Sequence, residues 1–156
     1  MTSEQTPPFP AIAAGLLQTV ESAVPKLLSM SDADASRPRA PGKWAPKQVI
    51  GHLIDSASNN HQRFVRAQQG AELVFPPYEQ DHWVSCQHYA DRTWHDLVTL
   101  WHAYNRHLVH VVSHIPEEKR HVACVIESTE PVTLGFLADD YGRHLRHHLG
   151  QIGILT

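Results

Sequence analysis

Asp139-Asp140-Tyr141-Gly142-Arg143-His144-Leu145-Arg146-His147-His148-Leu149-Gly150-Gln151-Ile152 carries two histidines, His144 and His148, four residues apart. On an α-helix that spacing stacks both side chains on one face, one turn apart. Two imidazoles so placed can reach one metal ion together. His147 projects about 100° away from His148 and reads as a flanking or surface residue. A third ligand has to come from elsewhere, and His52 is the best candidate. It lies in Trp44-Ala45-Pro46-Lys47-Gln48-Val49-Ile50-Gly51-His52-Leu53-Ile54-Asp55. The opening of a helix is legible there. Pro46 suits its first position, Gln48 can reach back as half of a capping box, and Trp44 and Val49 are placed as a hydrophobic staple.

That helix should run to Gln68 or Gln69 and stop at Gly70. His52, Asp55, Ser56, Asn59 and Arg63 form one polar stripe on it, beside an apolar stripe of Val49, Leu53, Phe64 and Ala67. A first helix is expected from Pro10, with Pro25 kinking or breaking it. Residues 31–43 read as a loop. A third helix should run from about Thr93 to His114, with Asn105 inside its apolar stripe as either a site-facing group or a core residue bonded to backbone. Residues 122–126 suit a short extended piece, and Thr133 can cap a fourth helix from Leu134 to about Ile152.

Four helices of roughly twenty residues predict an all-α four-helix bundle. Residues 1–9 read as a flexible polar lead-in, and 10–156 as one domain. The histidines also constrain the topology. His52 lies about two turns from the start of helix two, and His148 about one turn from the end of helix four. One metal needs them at the same height, so these helices should be antiparallel. An up-down-up-down bundle would offset the ligands by roughly 10 Å at 1.5 Å per residue. An up-down-down-up bundle would align them, and it requires a crossover between helices two and three. The connection at 70–91 can span that distance at about 3.3 Å per residue. Connections of this length are often functional.

Composition narrows the class. The chain has 156 residues, 42% hydrophobic and 19% charged, with a net charge of -3. That balance gives no electrostatic case for nucleic acid or an anionic membrane. No apolar run is long enough to span a bilayer. Histidine is the outlier, at 13 residues. Cys86 and Cys124 form no C-x-x-C and read as free thiols of a reducing, cytoplasmic compartment.

The segment from Trp44-x-x-Lys47-Gln48-Val49-Ile50-Gly51-His52 to Asp55, followed by Asn60 and Arg63-Phe64, resembles the second helix of the DinB-like superfamily. His144-x-x-His147-His148-x-x-Gln151-Ile152 resembles that superfamily's last helix. Gln80-Asp81-x-Trp83-Val84, Gln87-x-Tyr89 and Tyr104-Asn105 also fit its usual run of residues. The resemblance spans about 40–152. It implies an up-down-down-up bundle, commonly a homodimer, that holds a divalent metal on His52, His144 and His148. It also implies relatives that use low-molecular-weight thiols as cosubstrates in S-transfer or isomerisation.

Three imidazoles suit Zn²⁺ or Ni²⁺ and leave a coordination position open. An ion there could activate either water or a thiol. The first expectation is therefore a metal-dependent enzyme acting on a small molecule, a thiol-dependent S-transferase. The alternatives are a metal-dependent hydrolase at the same site and a non-enzymatic, stress-related metal-binding protein. Asp55, and Asn59 beside it, would serve as a general base or as partners behind the ligands, unless they belong to a solvated stripe. Asp140, one turn before His144, would orient that imidazole or make an ordinary i,i+4 pair. Arg63, Arg143 and Arg146 are candidates to recognise a carboxylate of a thiol cosubstrate. Trp83 and Tyr89 would line a pocket mouth or pin the long connection to the bundle.

Overall fold

Six α-helices and three short strands are formed among the described residues. A computed structural model describes residues 6–127 and 130–155. Residues 1–5 of the expected lead-in, and 128–129 in the connection before the fourth helix, lie outside that range. The elements are α1 (Phe9–Ser29), α2 (Asp32–Ala35), α3 (Pro46–Ala67), β1 (Glu72–Phe75), α4 (Gln80–Cys86), α5 (Trp94–Ser113), β2 (Ala123–Ile126), β3 (Val132–Thr133) and α6 (Leu134–Gln151). The long helices α1, α3, α5 and α6 form the bundle. α1 and α3 each pack against both α5 and α6.

Side-chain contacts fix the directions. Trp94 Nε1 at the start of α5 donates to the Leu27 carbonyl at the end of α1, at 2.7 Å, so α1 and α5 are antiparallel. Asp32 accepts from Lys47 Nζ and from the Trp94 backbone N–H, which ties the starts of α3 and α5 together. Further along the same helices His61 Nδ1 lies 2.9 Å from the Tyr104 hydroxyl, so α3 and α5 run parallel. His52 meets His144 and His148 while Phe64 meets Tyr141, so α3 and α6 are antiparallel. This is the up-down-down-up order that the histidine heights require.

The caps follow the sequence. Gln48 Oε1 accepts from the Ala45 N–H at 2.9 Å. Thr93 and Thr133 accept from the N–H of Asp96 and Phe136. Phe9, Ile50, Leu53, Phe64, Trp101 and Leu145 are among the fully buried core side chains. Burial of each such group contributes about 1.5–3 kcal/mol before entropy is charged against it. Asn105 is a core residue. Its Nδ2 donates to the Trp101 carbonyl, and its Oδ1 accepts from the Tyr141 hydroxyl at 2.6 Å.

Several expectations need correction. Of the kink or break expected at Pro25, the break is excluded, since α1 continues to Ser29. One missing N–H near the end of a long, well-buried helix is outweighed by packing of Val20, Ala23 and Leu27. α1 also starts at Phe9, whose N–H donates to Glu117 Oε1 at 2.7 Å. The 31–43 segment contains α2, capped by Ser31. The 70–91 connection is not featureless. It holds β1, α4 and a 3-10 turn at Tyr89–Asp91. β1 pairs in parallel with β2, and β2 antiparallel with β3, so a small sheet joins the two long connections of an otherwise helical protein.

Candidate metal centre

His52 sits in the second turn of α3, and His144 and His148 in the second half of α6. Because α3 and α6 are antiparallel, the three imidazoles meet at one height. His52 Nε2 lies 3.3 Å from His144 Nε2, and His148 Nε2 lies 3.1 Å from His144 Nε2. The three donor atoms are all within 4.8 Å of one another. Two imidazole nitrogens on one tetrahedral zinc, each about 2.05 Å from it, would stand about 3.3 Å apart. The spacing of this cluster therefore fits a shared divalent ion.

The protonation states fit as well. Burial, then repulsion from His148 and His144, lowers the His52 pKa to about 3. Burial, then repulsion from His148 and His147, lowers that of His144 to about 4. Burial also lowers His148, against an opposing hydrogen bond from Gln151. All three rings are thus neutral at pH 7, with lone pairs available, as metal ligation requires.

The surroundings orient the rings unequally. His148 Nδ1 donates to Gln151 Oε1 at 2.8 Å, and Gln151 Nε2 lies 3.1 Å from His147 Nε2. That bond places the His148 proton on Nδ1 and leaves Nε2 to face the cluster. The Trp44 ring packs on His52 at 5.1 Å between centroids. Trp44 thus shields a ligand candidate, beyond its expected place in a staple. The Nδ1 atoms of His52 and His144 are buried without a hydrogen-bond partner. Asp140 consequently does not orient His144. It lies 3.7 Å from Arg143, and Asp139 lies 3.4 Å from the same guanidinium.

Asp55 is buried, but its partners lie in the connection and not in the histidine cluster. Its Oδ1 accepts from the Tyr89 hydroxyl at 2.6 Å and from Gln87 Nε2 at 2.8 Å. Oδ2 is buried without a partner. Burial raises the carboxyl pKa, against the two hydrogen bonds. Tyr89 reaches Asp55 by lying over Gly51, where a Cβ would come within 2.2 Å of the ring. Tyr89 therefore pins the connection to α3. Asn59 Nδ2 donates to the Asp55 carbonyl within the helix. Arg143 and Arg146 lie on α6, and Arg143 is engaged with Asp139, Asp140 and the Phe136 ring.

Two cavities flank the cluster. One of about 520 Å³ reaches His148 and is rimmed by Arg39, Lys43, Trp44 and Asp81. The other, about 130 Å³, reaches His144 and is lined by Ser56, Asn60, Arg63 and Tyr78. Gln151 and Gly51 were quoted in the sequence patterns but given no role there. For Gln151 the signal is its i+3 spacing from His148. For Gly51 it is a glycine inside a helix, one residue before His52.

A bundle of this order with three facing histidines defines a recognisable class. Residues 16–152 match the family model described as the DinB superfamily, and the chain belongs to that superfamily. It is also similar to a protein of Oceanobacillus iheyensis that is named, provisionally, a metal-dependent hydrolase. The two are 22% identical over 126 residues, which is 81% of this chain and 72% of the relative. Among solved structures it is similar to YfiT from Bacillus subtilis, described as a probable metal-dependent hydrolase with an unusual four-helix bundle topology. The TM-score is 0.84 at 19% identity, over 97% of this chain and 86% of that one, a likeness that establishes the fold. No helix among the described residues is long and apolar enough to cross a membrane.

Proposed function

We propose that this chain is a divalent-metal-dependent hydrolase in which His52, His144 and His148 hold the ion through Nε2. The observation that carries this reading is the convergence of three neutral imidazoles at 3.1 and 3.3 Å. The donor set suits Zn²⁺ or Ni²⁺. The names of both relatives point the same way. When bound, such an ion supplies Lewis acidity, which brings a water or a thiol toward ionisation near neutral pH. The chain's own residues do the rest. Gln151 fixes the tautomer of His148, Trp44 covers His52, and the 520 Å³ cavity beside His148 admits a small-molecule substrate.

Thiol-dependent transfer at the same centre is the second reading. It is favoured by Arg39 and Lys43 at the rim of that cavity, neither in an ion pair among the described residues. Two cations without a carboxylate partner there, Arg39 donating to the Gln151 carbonyl at 3.4 Å, suit an acidic cosubstrate. The test has two parts. Elemental analysis of the tag-free protein should find about one divalent ion per chain, lost when His52, His144 and His148 are all changed to Ala. Turnover of ester and amide substrates should then proceed without added thiol. Equal metal in both proteins would sink the site, and an absolute need for a thiol would move the assignment to transfer.

A further inference from the structure

Arg63 is a cation without a counter-charge. It projects from the third turn beyond His52 on α3, half-buried, and makes no ion pair among the described residues. Its Nε is buried without a hydrogen-bond partner. Its guanidinium carbon lies 5.5 Å from the centre of the Phe75 ring, so β1 forms one wall behind it. Desolvation of this charge disfavours it, and nearby Tyr78 and Cys124, whose own pKa values burial raises, supply no anion near neutral pH. A charged group held this way stays costly until an anion meets it.

The space beside it has the size and the donors for such an anion. The 130 Å³ cavity lined by Arg63, Ser56, Asn60 and Tyr78 ends at His144. That volume holds about four waters or one small oxyanion. Burial raises the Tyr78 pKa, which keeps its hydroxyl protonated and able to donate. Asn60 Nδ2 donates to the Ser56 carbonyl at 2.9 Å and lies 3.4 Å from its Oγ, while the Ser56 hydroxyl bonds to the Tyr78 oxygen and leaves the Tyr78 proton to donate. Asp140 also borders the cavity, but it is more than half exposed and faces Arg143. One guanidinium fork, the Tyr78 hydroxyl as a donor and a carboxylate at the rim favour a planar monoanion over a phosphate dianion.

We infer that this cavity is a carboxylate-binding subsite in which Arg63 and Tyr78 hold an acid group of the substrate beside the histidine cluster. The subsite stands on the cavity itself. Its assignment to the substrate rests on the proposed metal-dependent activity. The substrate class that follows is a small molecule bearing a free carboxylate a short distance from its reacting bond.

The test follows the Arg63 Nε–H resonance in isotope-labelled full-length protein, metal-loaded and EDTA-treated. The titrants are sodium acetate, inorganic phosphate and, at matched ionic strength, sodium chloride. Acetate should shift the resonance saturably in both forms, and chloride should not. Tyr78→Phe should weaken acetate binding, and Arg63→Lys, followed through the Ser56 and Asn60 amides, should weaken it by roughly tenfold. No saturable shift in the unmodified protein would overturn the subsite, whatever the variants do. Binding of phosphate but not acetate would overturn the carboxylate assignment. Metal uptake without acetate binding would sink this inference alone. Acetate binding in a chain that takes up no metal would sink the hydrolase reading and leave the subsite standing.

Discussion

His148 Nδ1 lies 2.8 Å from Gln151 Oε1, one helical turn below the face on which His148 Nε2 meets His144. The amide acts from behind the ring. It holds the imidazole in one tautomer and one rotation.

The first prediction follows from that bond. Gln151→Ala should leave the fold intact and weaken zinc affinity about 10–100-fold, the usual cost of losing a hydrogen bond behind a metal-ligating histidine. Competition with a chromophoric chelator measures it. Unchanged affinity would mean that the ring needs no help from Gln151.

The second concerns Gly51. A methyl group there would meet the Tyr89 ring at 2.2 Å, well inside contact distance. Gly51→Ala should therefore push Tyr89 off α3 and cost about 1–3 kcal/mol in urea unfolding. A variant as stable as the parent would show that Tyr89 swings away without loss.

The third separates structure from chemistry at Asp55. Asp55→Ala removes the shorter of two acceptors from the Tyr89 hydroxyl and leaves it only Gln87 Oε1 at 3.0 Å, so it should destabilise by about 1 kcal/mol or more. Asp55→Asn keeps an acceptor and removes a carboxyl that burial disfavours, so its stability should stay within about 1 kcal/mol of the parent. Both variants should retain their metal. Loss of metal from Asp55→Asn, seen by elemental analysis, would tie this residue to the histidine cluster after all.

The fourth is the response of the metal-free protein to acid. Unfolded imidazoles take up protons near 6.5, whereas in the fold His52 does so only near 3 and His144 near 4. Between those values the unfolded chain binds more protons, so stability rises with pH. It should be fully present well above 6.5 and lost progressively as pH falls toward 4, with a slope of roughly two protons per chain from His52 and His144 and a further part from His148, whose pKa is also lowered. Asp55 acts oppositely, since its raised pKa lets the folded state keep a proton above 3.8. Melting temperatures in EDTA across this range give the slope. A flat profile would mean that the histidines are solvated in the metal-free protein.

Much of this protein can be read from residue spacing, because the decisive signals are local. His144 and His148 share a helix face by arithmetic, and Pro46, Thr93 and Thr133 mark helix starts through their own chemistry. Topology followed from one further demand, that His52 reach the height of His148. What spacing could not supply were pairings over long separations. Glu72–Phe75 has too short a pattern to declare itself a strand until Ala123–Ile126 lies beside it. The same limit hid the behaviour of Pro25, where burial of a whole helix face overrides one breaker. It also hid the partners of Asp55, since its place on the His52 stripe gives no sign that Gln87 and Tyr89 will reach it.

The parallel pairing of β1 with β2 closes a loop of roughly fifty residues with all of α5 inside it, whereas joining His52 to His144 closes one of 92. Loop-closure entropy grows with that separation, so the strands carry the smaller delay. Phe75, the wall behind Arg63, is set when the strands join. A folding chain can thus raise that wall before α6 arrives, and would gain its three-histidine centre only once its last helix has docked.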